Sequence, residues 1–118
     1  MLRVVFLFSV LLSLAGQALA DGHVKRIIST GETVLGNKIV YPVGEAKITA
    51  FEFTVPVGAP VAPHTHSFPV LLIIQQGEVT LDYEDGESRV YRPGDAFIED
   101  VGVVHSSRNT GDVPIKAL

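Results

Sequence analysis

Beyond residue 20 the apolar positions fall on every second residue or in short unbroken runs. No set repeats at the i, i+3, i+4, i+7 spacing of an amphipathic helix. Residues 46–55 (AKITAFEFTV) alternate and are rich in β-branched and aromatic side chains, which suits a strand with one buried face. Residues 70–75 form an apolar run of strand length. Residues 78–83 and 88–92 flank Glu84-Asp85-Gly86-Glu87, and Asp-Gly is among the strongest hairpin signals. Residues 96–98, 103–108 and 113–117 continue the series, and residues 24–29 and 38–41 are short β-prone pieces before it. Pro56, Gly58, Pro60, Pro63, Gly77, Pro93-Gly94-Asp95, Gly102 and Gly111-Asp112 mark the turns. Residues 30–37 (TGETVLGN) read as a polar loop or a hairpin. Short strands separated by Gly and Pro turns predict an all-β sandwich or barrel, with no linker and no internal repeat.

The first 20 residues have a different character. One positive charge, Arg3, precedes an almost continuous apolar run over residues 4–14, and Ala18-Leu19-Ala20 puts small residues where a signal peptidase reads. The run is short against the roughly 20 apolar residues that span a bilayer. A cleaved signal peptide over residues 1–20 is therefore expected, in preference to a retained anchor, with no stable membrane insertion afterwards. The remaining 98 residues, 21–118, are the size of one domain.

Removing residues 1–20 takes away Arg3 and none of the 13 acids, leaving eight Lys and Arg. This mild acidity argues against a nucleic-acid partner, since phosphate binding rests on clustered Lys and Arg. The chain has no cysteine. Thiol nucleophiles, thiolate metal sites and iron–sulfur clusters are excluded, and an exported domain without disulfides must rest on its core and on any metal it holds.

Three histidines are informatively placed. His64 and His66 sit at i and i+2, so in an extended backbone both rings point to one face and can converge on one ion. His105 lies on a later predicted strand, and must approach in space to complete a site. These residues fall inside two spaced patterns. Gly58, His64, His66 and Gly77 keep four of the five fixed positions of one pattern, with Val70 where a Glu is expected. Gly94, Gly102, His105 and Asn109 keep four of five in the second, with Asp100 where a Pro is expected.

In these two motifs, over residues 58–77 and 94–109, the sequence resembles the cupin superfamily. The resemblance implies a single cupin β-barrel over residues 21–118, a double-stranded β-helix of jelly-roll type. It also implies a mononuclear metal inside the barrel, with His64, His66 and His105 as the metal ligands that carry over. The fourth ligand does not carry over, because Val70 cannot bind a metal and Pro69 and Leu71 do not replace it. On strand parity, Leu72, Ile74 and Gln76 share the face of Val70.

Three neutral imidazoles would leave a divalent ion its full +2 charge, making bound water more acidic and anions more welcome. Three His with an open position suit zinc, and ligand type does not separate zinc from iron, manganese, nickel or copper. The competing reading is a metal-free barrel whose HxH pair is satisfied in the core.

The leading expectation is an exported, periplasmic or secreted metal-binding cupin acting on a small polar or anionic molecule, as an oxygenase, isomerase or hydrolase. The alternative is a non-catalytic module that binds or senses a sugar or organic acid. The resemblance also implies a homodimer, with residues 24–41 as the segment that would pair. Glu99 and Asp100 read as a solvated turn, or else as acids that orient an imidazole or act at the mouth of the site. Asn109 reads as a structural hydrogen-bonding residue, and Phe51, Phe53, Phe68 and Phe97 as core. Ser67, Ser106 and Ser107 lie near the histidines in sequence, but no acid–His–Ser arrangement follows. His23 is the third residue after cleavage at Ala20, where a free amine, two amides and an imidazole can form a square-planar copper(II) or nickel(II) site. Mass spectrometry of the exported protein is expected to find Asp21 as the first residue; any other start removes the His23 site.

Overall fold

A computed structural model describes residues 23–118, so the expected signal peptide and its cleavage site lie outside the described residues. Among the described residues there is no helix. The chain forms β1 (Phe53–Val55), β2 (Pro60–His64), β3 (Val70–Gln76), β4 (Val79–Tyr83), β5 (Ser88–Tyr91), β6 (Ala96–Glu99), β7 (His105–Asn109) and β8 (Ile115–Ala117). All strand pairs are antiparallel. They make two four-stranded sheets in the orders β1-β8-β3-β6 and β2-β7-β4-β5.

The inner faces of the two sheets bury Leu72 and Ile74 of β3, Val79, Leu81 and Tyr83 of β4, Phe97 of β6, and Ile115 and Ala117 of β8. Alternation accounts for this selection: β3 buries Leu72 and Ile74 and turns Leu71 and Gln75 outward. The β4–β5 hairpin turns at Asp85-Gly86, with Gly86 at φ 89° and Tyr83 N–H donating to Glu87 O at 2.9 Å. Gly77 has φ 79°, and a Cβ there would stand 2.8 Å from Pro114 O, so only glycine fits where β3 turns into β4.

Four sequence expectations need correction. Residues 24–29 and 38–41 form no strand; the one pairing near them is an isolated bridge between Glu32 and Lys38 that closes the expected hairpin turn. Of residues 46–55 only Phe53–Val55 is a strand, because β8 is three residues long and offers no further partner. Residues 46–52 are exposed, Phe51 and Phe68 with them, so of the four phenylalanines Phe97 is core and Phe53 packs against it. Pro60 and Pro63, read as turn markers, belong to β2. A proline lacks the N–H a central strand needs, and β2 tolerates two because it is an edge strand.

Asn109 plays the structural role expected of it. Its Nδ2 donates to Val55 O at 3.1 Å and Val113 O at 2.8 Å, and its Oδ1 accepts from Gly111 N–H at 3.0 Å, tying β1, β7 and the turn before β8 together. Asn109→Ala strands three backbone groups and is expected to cost about 2–4 kcal/mol, read as a lower urea midpoint at unchanged slope.

Candidate metal centre

The site lies at one end of the barrel, where five strand ends meet. His64 ends β2, Val70 begins β3, Tyr83 ends β4, Glu99 ends β6 and His105 begins β7. The position of His64 depends on an irregularity. Val61 pairs with Ser107 and His64 with His105, so β2 spends one more residue than β7 between these pairs. This extra residue is a β-bulge at Ala62-Pro63. It reverses the alternation, and His64 faces the same interior as Val61. From there the i+2 spacing brings His66 to the same side.

Downstream, His66 forms a parallel bridge with Val101, and Gly102 N–H donates to His66 O at 2.8 Å. His105 lies between His64 of β2 and Tyr83 of β4, its direct cross-strand partners. The three rings converge: His64 and His105 centroids are 4.6 Å apart, His64 and His66 5.0 Å, and His66 and His105 5.2 Å. One nitrogen from each ring lies within 4.8 Å of the other two, a grouping that can hold a metal ion. The sequence-predicted ligands His64, His66 and His105 are thus brought together; His23 is exposed and stands outside this group.

The tautomers are set locally. His64 Nδ1 lies 2.8 Å from Ala62 O, and His105 Nδ1 lies 3.1 Å from Val103 O. A carbonyl only accepts, so each Nδ1 carries a hydrogen, and in the neutral imidazole Nε2 is the nitrogen that keeps the lone pair. The Nε2 atoms of His66 and His105 are buried and have no hydrogen-bond partner. Burial holds the His66 imidazole below its ordinary pKa, against the opposing pull of Glu99, so it is neutral near pH 7. A metal requires neutral imidazoles from its ligands, and the three histidines offer nitrogens that share one volume.

Glu99 and Asp100 are not a solvated turn. Their relative exposures are 6% and 2%. Glu99 continues β6 opposite Val70 and places Oε2 2.7 Å from His66 Nε2 and Oε1 3.4 Å from His105 Nε2. Asp100 points away from the histidines, into the N-terminal hairpin turn. It accepts from Thr33 Oγ1, from Asn37 Nδ2 at 2.8 Å and from Leu35 N–H at 3.2 Å. The signal that could have found Glu99 is parity, since Phe97 and Glu99 occupy alternate buried positions of β6.

The sequence matches the family model described as "Cupin domain" over residues 51–118. Among solved structures it is similar to a protein from Bacillus halodurans, at 21% identity, TM-score 0.51, covering 56% of this chain and 55% of that one. It is also similar to the Schizosaccharomyces pombe Cnp3 cupin domain, at 18% identity, TM-score 0.50, covering 56% and 46%. A cupin superfamily protein from Desulfitobacterium hafniense shares 18% identity, TM-score 0.49, over 56% and 60%. The chain therefore spans about half to three fifths of the length of these structures, and at such identities the first two bear on the fold alone. No curated protein matches the sequence.

Tyr83 closes the wall beside His105, its ring centroid 6.1 Å from that imidazole. Burial, with Tyr91 and Asp100 adding to it, pushes its phenol up to about 12. The folded state therefore keeps this proton more tightly than an unfolded chain, whose tyrosine titrates near 10. Its stabilising contribution is complete below pH 10 and is lost as pH rises from about 10 through about 12. Urea midpoints across that window are expected to fall less steeply for Tyr83→Phe than for the parent.

Proposed function

The chain belongs to the cupin domain family, and from that premise we propose that it is a small exported metalloprotein. In this reading His64, His66 and His105 hold one divalent ion, and the ion recruits a small polar or anionic molecule. The observation that carries the reading is the pair of buried Nε2 atoms, on His66 and His105, left without hydrogen-bond partners inside a three-histidine cluster. An unpaired buried nitrogen costs about 1–3 kcal/mol, and a metal bond removes that cost.

A divalent ion bound there would supply a Lewis acid that polarises a ligand's oxygen. The chain's own residues do the rest. The carbonyls of Ala62 and Val103 fix the tautomers of His64 and His105. Val70, Leu72 and Phe97 line the inner faces of β3 and β6 beside the site with apolar groups, which limits water there. Zinc, iron, manganese, nickel and copper all accept such nitrogen donors, so ligand type leaves the metal open.

A specific observation favours capture of the ligand over its turnover. A general acid or base must be free to exchange a proton near neutral pH. Tyr83 is held protonated to about 12, Asp100 is committed to three donors, and Glu99 faces two imidazoles. A binding or sensing cupin for a sugar or organic acid therefore stands beside the oxygenase, isomerase or hydrolase reading.

The same proposal includes export to the periplasm or medium and a homodimer. The dimer would cover Val24, Ile27, Val40 and Tyr41 in residues 24–41 and continue over Val43, Ile48 and Phe51, all of them exposed. Their burial in a second copy would remove an apolar surface from water. Light scattering of the exported chain is expected to give twice the chain mass; a monomer would remove this part of the proposal.

Elemental analysis of untagged protein is expected to give about one divalent ion per chain, and none in His64→Ala/His66→Ala. The element found decides between redox and Lewis-acid chemistry. A parent that stays metal-free after incubation with zinc, iron, manganese, nickel and copper refutes the metalloprotein reading.

A further inference from the structure

We propose that Glu99 is the fourth protein ligand of the ion, the carboxylate that the cupin pattern puts on β3 being supplied here from the facing position on β6. The inference rests on the metal-binding reading above and deepens it. The sequence departs from the family pattern at Val70, and a three-histidine site with the full +2 charge was the expectation. The register changes that. Val70 and Glu99 are direct cross-strand partners on the inner face of the β3–β6 pair. Directly opposed side chains start about 4.5–5.5 Å apart, so a carboxylate from either strand reaches the same volume. Valine at position 70 is small enough to leave that volume to Glu99.

Glu99 faces two of the three histidines that could hold an ion. Its carboxylate, in a residue 6% exposed, has His66 Nε2 and His105 Nε2 as its ion-pair partners, and no Lys or Arg among them. His105 Nδ1 faces Val103 O, which turns its Nε2 toward Glu99. Glu99 Oε1 lies 3.4 Å from that nitrogen, longer than an ordinary hydrogen bond. Glu99 Oε2 approaches His66 Nε2 to 2.7 Å, yet the nitrogen makes no hydrogen bond of acceptable direction. Separations of 2.7 and 3.4 Å are close to those of neighbouring ligands on one ion. Two ligands each about 2.1 Å from one ion stand about 3.0 Å apart at octahedral and about 3.4 Å apart at tetrahedral angles.

The second departure from the family pattern supports the first. Asp100 stands where a turn proline is expected, and its three hydrogen bonds fasten the chain next to Glu99 to residues 33–37. Val34 N–H adds a bond to Ile98 O at 2.8 Å. The end of β6 is held on both sides of Glu99: by β3 across from it and by the N-terminal turn behind it. A site with this carboxylate leaves a divalent ion a net charge of about +1, as the usual ligand set would.

Zinc binding to the full untagged chain tests the assignment. Zinc affinity is measured by competition with a chromophoric chelator for the parent, Glu99→Gln, Val70→Glu/Glu99→Gln and the exposed-turn control Asp85→Asn. Far-UV circular dichroism and thermal unfolding in chelator check that each is folded. Glu99→Gln is expected to bind zinc at least about 10-fold more weakly, the double variant to regain most of the loss, and the control to match the parent. An affinity of Glu99→Gln within about twofold of the parent overturns the assignment and leaves the three-histidine reading intact. If the loss is smaller than 10-fold, or Val70→Glu does not restore binding, the crystal structure of the zinc-loaded parent decides. A Glu99 oxygen within about 2.2 Å of zinc upholds the assignment; zinc held by the histidines with Glu99 outside bonding distance overturns it. A parent that binds no zinc or other divalent ion overturns both readings together.

Discussion

One extra residue in β2 sets the geometry on which the candidate site depends. A strand alternates its side chains strictly, so Val61 facing inward would send His64 outward. The bulge at Ala62-Pro63 shifts the count by one and returns His64 to the interior, opposite His105. Pro63 has no N–H to offer a ladder, and its place on an edge strand makes the break cheap. The carbonyl of Ala62, within the bulge, then receives the Nδ1–H of His64 and fixes which nitrogen faces inward. The feature that aims the imidazole also sets its tautomer.

The other half of the site is a problem of buried charge. A carboxylate at 6% exposure loses most of its hydration, and an unpaired one is among the most costly groups a small barrel can enclose. Asp100 meets that cost with three donors from the N-terminal turn. Among the described residues Glu99 has the imidazoles of His66 and His105 as its ion-pair partners, and no Lys or Arg. The two neighbouring acids are therefore unlike: one is met by three hydrogen-bond donors, and the other faces imidazoles. On the proposed reading, a divalent ion would satisfy the carboxylate and the imidazoles in one step and would tie the stability of this end of the barrel to metal binding.

Most of the barrel could be read from the sequence because its signals are local. Asp85-Gly86 specifies the β4–β5 hairpin by turn chemistry alone, and the run at 70–75 has both the length and the composition of a buried strand. The histidine cluster was legible through i+2 spacing and the two motifs. What failed depends on partners. Residues 46–52 have strand character, but a strand exists only where a neighbour offers hydrogen bonds, and β8 ends after three residues. Pro60 and Pro63 look like turn residues until the sheet order shows β2 at an edge. Glu99 and Asp100 look like a polar turn, since neither the Val70–Glu99 register nor the docking of residues 33–37 is written in local pattern.

Moving a carboxylate between strands has a mechanical consequence. A ligand on β3 would belong to a strand held on both sides, by β8 and β6. A ligand on β6 belongs to an edge strand of four residues, paired on one side only. Its free side is covered by the N-terminal turn, through Val34 and Asp100. In this chain residues 33–37 therefore act as the missing neighbour of β6 and hold the replacement carboxylate in position. Displacing that turn would leave the end of β6 fastened by β3 alone and loosen Glu99, while His64 and His105 stayed fixed in the other sheet. The N-terminal turn is thus a support of the candidate metal centre, although none of its residues belongs to the histidine group.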